Sequence, residues 1–292
     1  ALASDPVHVG LVQGDMPLIR PSYPESRARH LRMTEELRQK GADFVVWSEA
    51  AVMRSVPEDD YDNALQQDFS RKLKLPALFG AMLVHRDPNA PRWYNVALAT
   101  DEKGHVVGRY DKHYLLAFGE YLPLGETFPI LYDWSPNSGR LTPGTSNEPL
   151  TLAGHQIAAL VCYEDILPGF VNKAIDAGSA EMIVNVTNDA WFHDTTEPWI
   201  HLGLAQMRAV EHRRYLLRAT NTGVSAVIDP VGRVIAHSGT FRQETVDAIA
   251  HWMKGPKTGY EIWGDLPWWL AAAAIVTMGF AKRRAAGTLR TA

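Results

Sequence analysis

The chain predicts an α/β fold of layers with paired, mixed sheets, and three observations carry that reading. Apolar runs of strand length alternate with amphipathic, helix-like segments across its 292 residues. Some of these runs follow one another directly, which a simple doubly wound sheet does not do. No linker-like stretch interrupts the pattern before about residue 255, so one catalytic-type domain over 1–255 precedes a C-terminal segment over 256–292.

The elements follow in chain order. "VHVGLVQ" (Val7 to Gln13) alternates as a strand does and breaks at Gly14. Ser26 to Lys40 spaces Leu31, Met33 and Leu37 among charges, as an amphipathic helix. "DFVVWSE" is a buried strand that ends on Glu49. "ALFGAMLVH" and "WYNVALAT" read as neighbouring strands joined by the polar "RDPNAPR". "HVVGRYDK" is a strand ending on Lys112, and the Pro- and Gly-rich stretch from Ala117 to Ser146 is a long structured loop. "HQIAALVCYE" returns to strand and carries Cys162; Leu167 to Gly178 is a helix. "EMIVNVTND" is a strand, and Trp199 to Tyr215 fits a helix with Arg208, Arg213, Arg214 and Arg218 counted on its charged face. Two strands then flank the turn Asp229-Pro230-Val231-Gly232.

Composition removes several function classes. The net charge of −4 supplies no basic field for nucleic acid. One cysteine excludes an intrachain disulfide and a cysteine-based zinc site, and the histidines show no close ligand spacing. No metal or cofactor is expected. The start, Ala-Leu-Ala, shows no signal peptide and reads as a cut end. At the other end, Leu266 to Ala281 is uncharged, flanked by Trp263, Trp268 and Trp269 and by Lys282, Arg283 and Arg284. Sixteen helical residues rise about 24 Å against a bilayer core of about 30 Å. The aromatic and basic flanks nevertheless lead us to expect a membrane helix, with snorkelling side chains covering the shortfall. That would put the main domain on the non-cytoplasmic side.

Three apolar strands deliver Glu49, Lys112 and Cys162 at their C-terminal ends. Strand ends are where ligands bind in layered α/β folds. The residue types suit nucleophilic attack on an acyl carbon. A free thiol with a pKa of about 8.5 is only about 3% thiolate at neutral pH. Transfer of its proton to an ordinary carboxylate is uphill by roughly 6 kcal/mol. Burial of Glu49 and an ammonium from Lys112 would both narrow that gap. Lys112 would then face the oxyanion, with the Tyr163 backbone N–H as a second donor. Each residue also has a plainer reading: a buried core thiol, or strands that have reached solvent.

Around these residues, "WSEA", "YDKHYLLAFGEYLP" and "CYED" resemble the Glu-Lys-Cys motifs of the nitrilase (carbon–nitrogen hydrolase) superfamily. Within it, "VQGDMP", "FGEYLPL", "TNDAWF" and "QMRAVEHRRYLLRATNTGVSAVIDPVGRV" resemble the apolipoprotein N-acyltransferase family, from about Val7 to Arg284. The resemblance implies a four-layer αββα sandwich plus the C-terminal apolar helix. It implies that Glu49 is the general base, Lys112 the oxyanion stabiliser and Cys162 a nucleophile that forms a thioester. It adds Glu120, Tyr163 and Glu164 as supporting residues. It also implies a phospholipid acyl donor, a diacylglyceryl-cysteine lipoprotein as acceptor, and a bacterial inner-membrane location with the catalytic domain periplasmic. The chain lacks the family's preceding bundle of membrane helices and the tryptophan that follows its first motif, where Tyr23 is the nearest aromatic. Two rival functions remain: an amidase that uses water as acceptor, and a membrane-tethered domain that binds lipoproteins without catalysis.

Overall fold

The computed structural model describes residues 2–17, 22–87 and 91–288. In chain order the elements are β1 (Leu2–Gln13), α1 (Tyr23–Gln39), β2 (Phe44–Trp47), β3 (Val52–Pro57), α2 (Tyr61–Asp68), β4 (Ala77–His85), β5 (Arg92–Thr100), β6 (Val106–Asp111) and α3 (Ile130–Trp134). Then come β7 (Leu150–Leu152), β8 (His155–Val161), α4 (Pro168–Asp176), β9 (Met182–Thr187), α5 (Glu197–His212), β10 (Tyr215–Thr220), β11 (Ala226–Ile228), β12 (Val234–His237), β13 (Glu244–Lys254), α6 (Gly259–Trp263) and α7 (Leu266–Thr288). They make two mixed sheets, as expected. One runs β13-β1-β2-β4-β5-β6 with β3 beside β4, and the other runs β12-β11-β10-β9-β8-β7.

Alternation along each strand sorts side chains between the layers. Val7, Val9 and Leu11 of β1 join Phe44, Val46 and Leu78 in a core shared with Ile157, Val161 and Ile183 of the other sheet. The opposite face of the first sheet, with Val12, Val45, Trp47 and Phe79, packs on Met33 and Leu37 of α1 and Leu65 of α2. Phe170, Val171 and Ala174 of α4 and Leu202, Ala205 and Ala209 of α5 cover the second sheet from outside. The layers are therefore helix, sheet, sheet, helix.

Several elements differ from the expectation. α1 starts earlier, at Tyr23, because Ser22 caps it and Pro24 fits its first turn. β3, α2, β7 and β13 were not expected. β13 pairs antiparallel with β1 along most of both strands, joining the two ends of the domain. The region from 215 to 237 holds three strands rather than two, since Arg213 ends α5 in a left-handed conformation (φ 51°) and the chain turns straight into β10.

The expected membrane span is corrected. α7 forms, but no helix among the described residues is long and apolar enough to cross a membrane. Its uncharged run stops at Ala281, several ångströms short of a bilayer core. From Asp265 to Phe280 every side chain is exposed, so this stretch is not buried against the sandwich. The side chains of Lys282, Arg283 and Arg284 lie outside the described residues.

Candidate active site

β2, β6 and β8 end at the same edge of the sandwich, and Glu49, Lys112 and Cys162 follow within two residues of those ends. All three line one cavity of about 770 Å³, walled mainly by apolar side chains including Met53, Met82, Trp93 and Phe118. Each is nearly inaccessible: Glu49 is 7%, Lys112 3% and Cys162 8% exposed.

Glu49 sits where the chain turns from β2 into β3. Ala50 takes a left-handed conformation there (φ 51°), and β4 passes close underneath. Gly80 permits that approach, because a Cβ at residue 80 would lie 2.4 Å from the Ala50 nitrogen and 2.6 Å from the Glu49 Cα. Burial raises the Glu49 pKa, against the pull of the Lys112 ammonium.

The Lys112 ammonium lies 3.4 Å from Glu49 Oε1 and 2.8 Å from Glu120 Oε2. Burial alone would lower its pKa, but Glu49, Cys162 and Glu120 outweigh that, so it stays a cation. Asn95 ties these groups together. Its Nδ2 donates to Glu49 Oε1 (2.7 Å) and to Glu120 Oε1 (2.9 Å), while its backbone carbonyl accepts from the Lys112 backbone N–H (2.9 Å). Glu120 also accepts from the Leu116 N–H at 2.8 Å, which fixes the start of the long loop.

Cys162 occupies a left-handed conformation (φ 56°) between β8 and a 3₁₀ turn over Cys162–Ile166. Such a backbone costs about 1–3 kcal/mol and persists only where its surroundings over-determine it. Asn185 Nδ2 holds the Cys162 carbonyl at 2.9 Å. Glu164 clamps both sides of the site. It accepts from the Val161 N–H (2.8 Å) next to Cys162, and from the His113 N–H (2.6 Å) and Tyr114 N–H (3.1 Å) next to Lys112. The Tyr110 hydroxyl donates to it as well, at 2.7 Å. Burial pushes Glu164 up to about 7, with these hydrogen bonds working in the other direction. Burial and the nearby Glu49 charge push the Cys162 thiol up, opposed by Lys112. Both effects favour the neutral thiol at Cys162.

A second charged cluster supports the turn from behind. Arg218 on β10 donates to Asp165 Oδ2 (2.7 Å) and Asp189 Oδ2 (2.9 Å). His201 on α5 bridges the same two carboxylates, with Nε2 2.9 Å from Asp165 and Nδ1 3.1 Å from Asp189. The Tyr163 ring stacks on His201 at 4.3 Å, and its hydroxyl donates to Glu197. Burial works against a charged His201, as does Arg218, but the two aspartates prevail and raise its pKa. Asp189, Glu197 and His201 bring potential metal-ligand atoms within 4.8 Å of one another. Arg218 already supplies a cation there, so the set reads as an ion-pair network.

The site residues named from the sequence therefore meet: Glu49, Lys112, Cys162, Glu120 and Tyr163 on one cavity, with Glu164 beneath it. Asn95 was missed, and the pairing of His201 with Arg218 behind the turn was not anticipated. Asn95 is a lone amide inside an apolar strand, which was the available signal. Arg218 is corrected from a helix face to a fully buried strand position, and Arg208 and Arg214 are buried too. Asn188 caps the turn after β9 and lines the cavity beside Trp191.

With that geometry in place, comparison with known proteins is informative. The carbon-nitrogen hydrolase family model matches residues 8–249. The chain is 35% identical over 288 residues to an apolipoprotein N-acyltransferase of Methylococcus capsulatus, covering 97% of this chain and 55% of that one. It is 34% identical to one from Azotobacter vinelandii, covering 98% of this chain and 55% of the relative. The chain thus spans about half the length of the curated relatives it matches. Among solved structures, Saccharomyces cerevisiae Nit3 superposes with a TM-score of 0.65 at 18% identity, over 85% of this chain and 91% of that one. An amidase from Nesterenkonia sp. gives 0.62 at 20% identity, over 87% and 94%. At that identity these two speak for the fold alone.

Proposed function

The chain belongs to the carbon-nitrogen hydrolase family, and from that premise we propose that it moves an acyl chain from phospholipid, through a thioester on Cys162, to the N-terminal amine of a diacylglyceryl-cysteine lipoprotein. The observation that carries the reading is one apolar cavity holding a thiol, a buried ammonium and a carboxylate of raised pKa. The choice of acceptor follows the N-acyltransferase relatives. The catalytic unit is residues 1–255, and 256–292 is an appended segment.

In the proposed first step the Cys162 sulfur attacks the ester carbonyl as its proton passes to Glu49. Charge builds on the carbonyl oxygen, facing the Lys112 ammonium and the Tyr163 N–H. The tetrahedral intermediate collapses, and Glu49 returns the proton to the departing glycerol oxygen. A lysophospholipid leaves and the thioester remains. In the second step the lipoprotein amine attacks the thioester, its surplus proton goes to Glu49, and an amide forms as the Cys162 thiolate leaves and is reprotonated. Glu120 and Asn95 hold Lys112 and Glu49 in register, and Glu164 keeps the nucleophile turn and the Lys112 strand end together.

Both proposed substrates are lipids, so the reaction belongs at a membrane surface. The sidedness expected from a spanning tail falls with the span. The test is direct: full-length protein, phospholipid and a synthetic diacylated lipopeptide. Triacylated lipopeptide is the expected product. Release of free fatty acid alone would point to water as acceptor, and turnover of small amides without lipid would favour the amidase.

A further inference from the structure

A second cavity of about 830 Å³ lies against the catalytic one, and Trp93 and Leu141 line both. Their backbones are paired as an isolated bridge. The Thr142 N–H donates to the Trp93 carbonyl at 2.7 Å, and the Leu141 N–H donates to the Glu120 carbonyl at 2.9 Å. The wall between the cavities is therefore anchored to the backbone of a residue that holds Lys112. Consecutive residues leave β6 for opposite sides of it: Lys112 lines the catalytic cavity and His113 the second.

The two cavities differ in chemistry. The walls of the catalytic cavity suit an acyl chain. The second is lined by Arg92 and Arg140, with Glu126 as its one carboxylate. That carboxylate accepts from the Tyr132 hydroxyl at 3.1 Å, and the Arg140 guanidinium lies 3.8 Å over the Tyr132 ring. A guanidinium stacked in this way keeps its edge N–H donors free for an oxyanion.

We propose that the second cavity binds the phosphodiester of the acyl donor, through Arg92 and Arg140, while the reacting ester enters the catalytic cavity. The inference rests on the thioester reading above. In a glycerophospholipid the glycerol alone separates the ester carbonyl from the phosphate. One lipid can then straddle the Trp93–Leu141 wall, with its carbonyl at Cys162 and its anion on the far side. Arg92 and Arg140 act on donor capture and leave the chemical step alone.

The test compares the wild-type full chain with an Arg92→Gln/Arg140→Gln double variant, following acyl-Cys162 by mass. Three donors are used in the same detergent micelles: dioleoyl phosphatidylglycerol, dioleoylglycerol and p-nitrophenyl palmitate. The double variant is expected to raise KM for the phospholipid roughly ten- to a hundredfold and to leave kcat unchanged. Acylation by the two neutral donors should not change, which also shows the variant to be folded. An unchanged phospholipid KM, or an equal loss with neutral donors, overturns the proposal. Acylation by the nitrophenyl ester with none from phospholipid overturns it while sparing the thioester. No acylation by any donor sinks the thioester reading and this inference with it.

Discussion

Glu49, Glu120 and Lys112 form one buried charge cluster beside Cys162, and Asp165, Asp189, His201 and Arg218 form another behind it. The second is sealed. All four of its side chains are essentially inaccessible, and two carboxylates meet a guanidinium and an imidazole whose pKa is raised. With His201 protonated the charges of these four cancel, and Glu197, 4.0 Å from His201 and partly exposed, lies at their edge. The first cluster opens on a cavity and does not cancel: two carboxylates face one ammonium. Burial raises the Glu49 pKa there, and the Glu120 charge adds to the rise against the pull of Lys112. A sealed, balanced network holds its neighbours in place. An open, unbalanced one has a proton to exchange. The difference teaches that burial alone does not mark the reactive groups; charge balance and access to the cavity do.

Several substitutions sharpen or break this contrast. Cys162→Ala should lower acyl transfer on the order of 10⁴-fold or more and leave the melting temperature almost unchanged. Arg218→Leu should do the reverse. His201 alone then faces two buried carboxylates, and the expected loss is about 3–5 kcal/mol in urea unfolding. A fully active, equally stable Arg218→Leu protein would break the comparison. Lys112→Met should lower turnover about 10²–10³-fold, and Glu120→Gln by roughly 10–100-fold, each with a smaller change in stability than Arg218→Leu.

The two clusters should also answer pH differently. In the proposed mechanism Glu49 serves as base only when ionised, so activity should rise with pH through a pKa above the ordinary carboxylate range. An acid limb at the usual carboxylate pKa in a kcat/KM profile would contradict this. His201 has a raised pKa in the folded state, so its stabilising charge is fully present below the ordinary histidine pKa. That contribution is lost as pH climbs through the raised value. Urea midpoints should therefore fall on the alkaline side, and His201→Gln should flatten the fall.

What was legible in the sequence follows the same division. Glu49, Lys112 and Cys162 each end an apolar strand, where a charge or thiol is conspicuous. Asn95 lies mid-strand, and the carboxylates it serves are 46 and 25 residues away, so only the tertiary fold brings them together. Arg218 was hidden by the left-handed stop at Arg213, which local composition does not announce. β13 alternates weakly and acquires its register from β1, at the other end of the domain. The C-terminal run misled because aromatic and basic flanks suggested a span that its length does not supply.

The measurement that bears most directly on the account is the intact mass of the full-length protein after incubation with phospholipid and no acceptor. The account predicts one added acyl chain, mapped to Cys162, released by hydroxylamine and absent in Cys162→Ala. Folded protein that stays unmodified, or that carries its acyl group elsewhere, would contradict it.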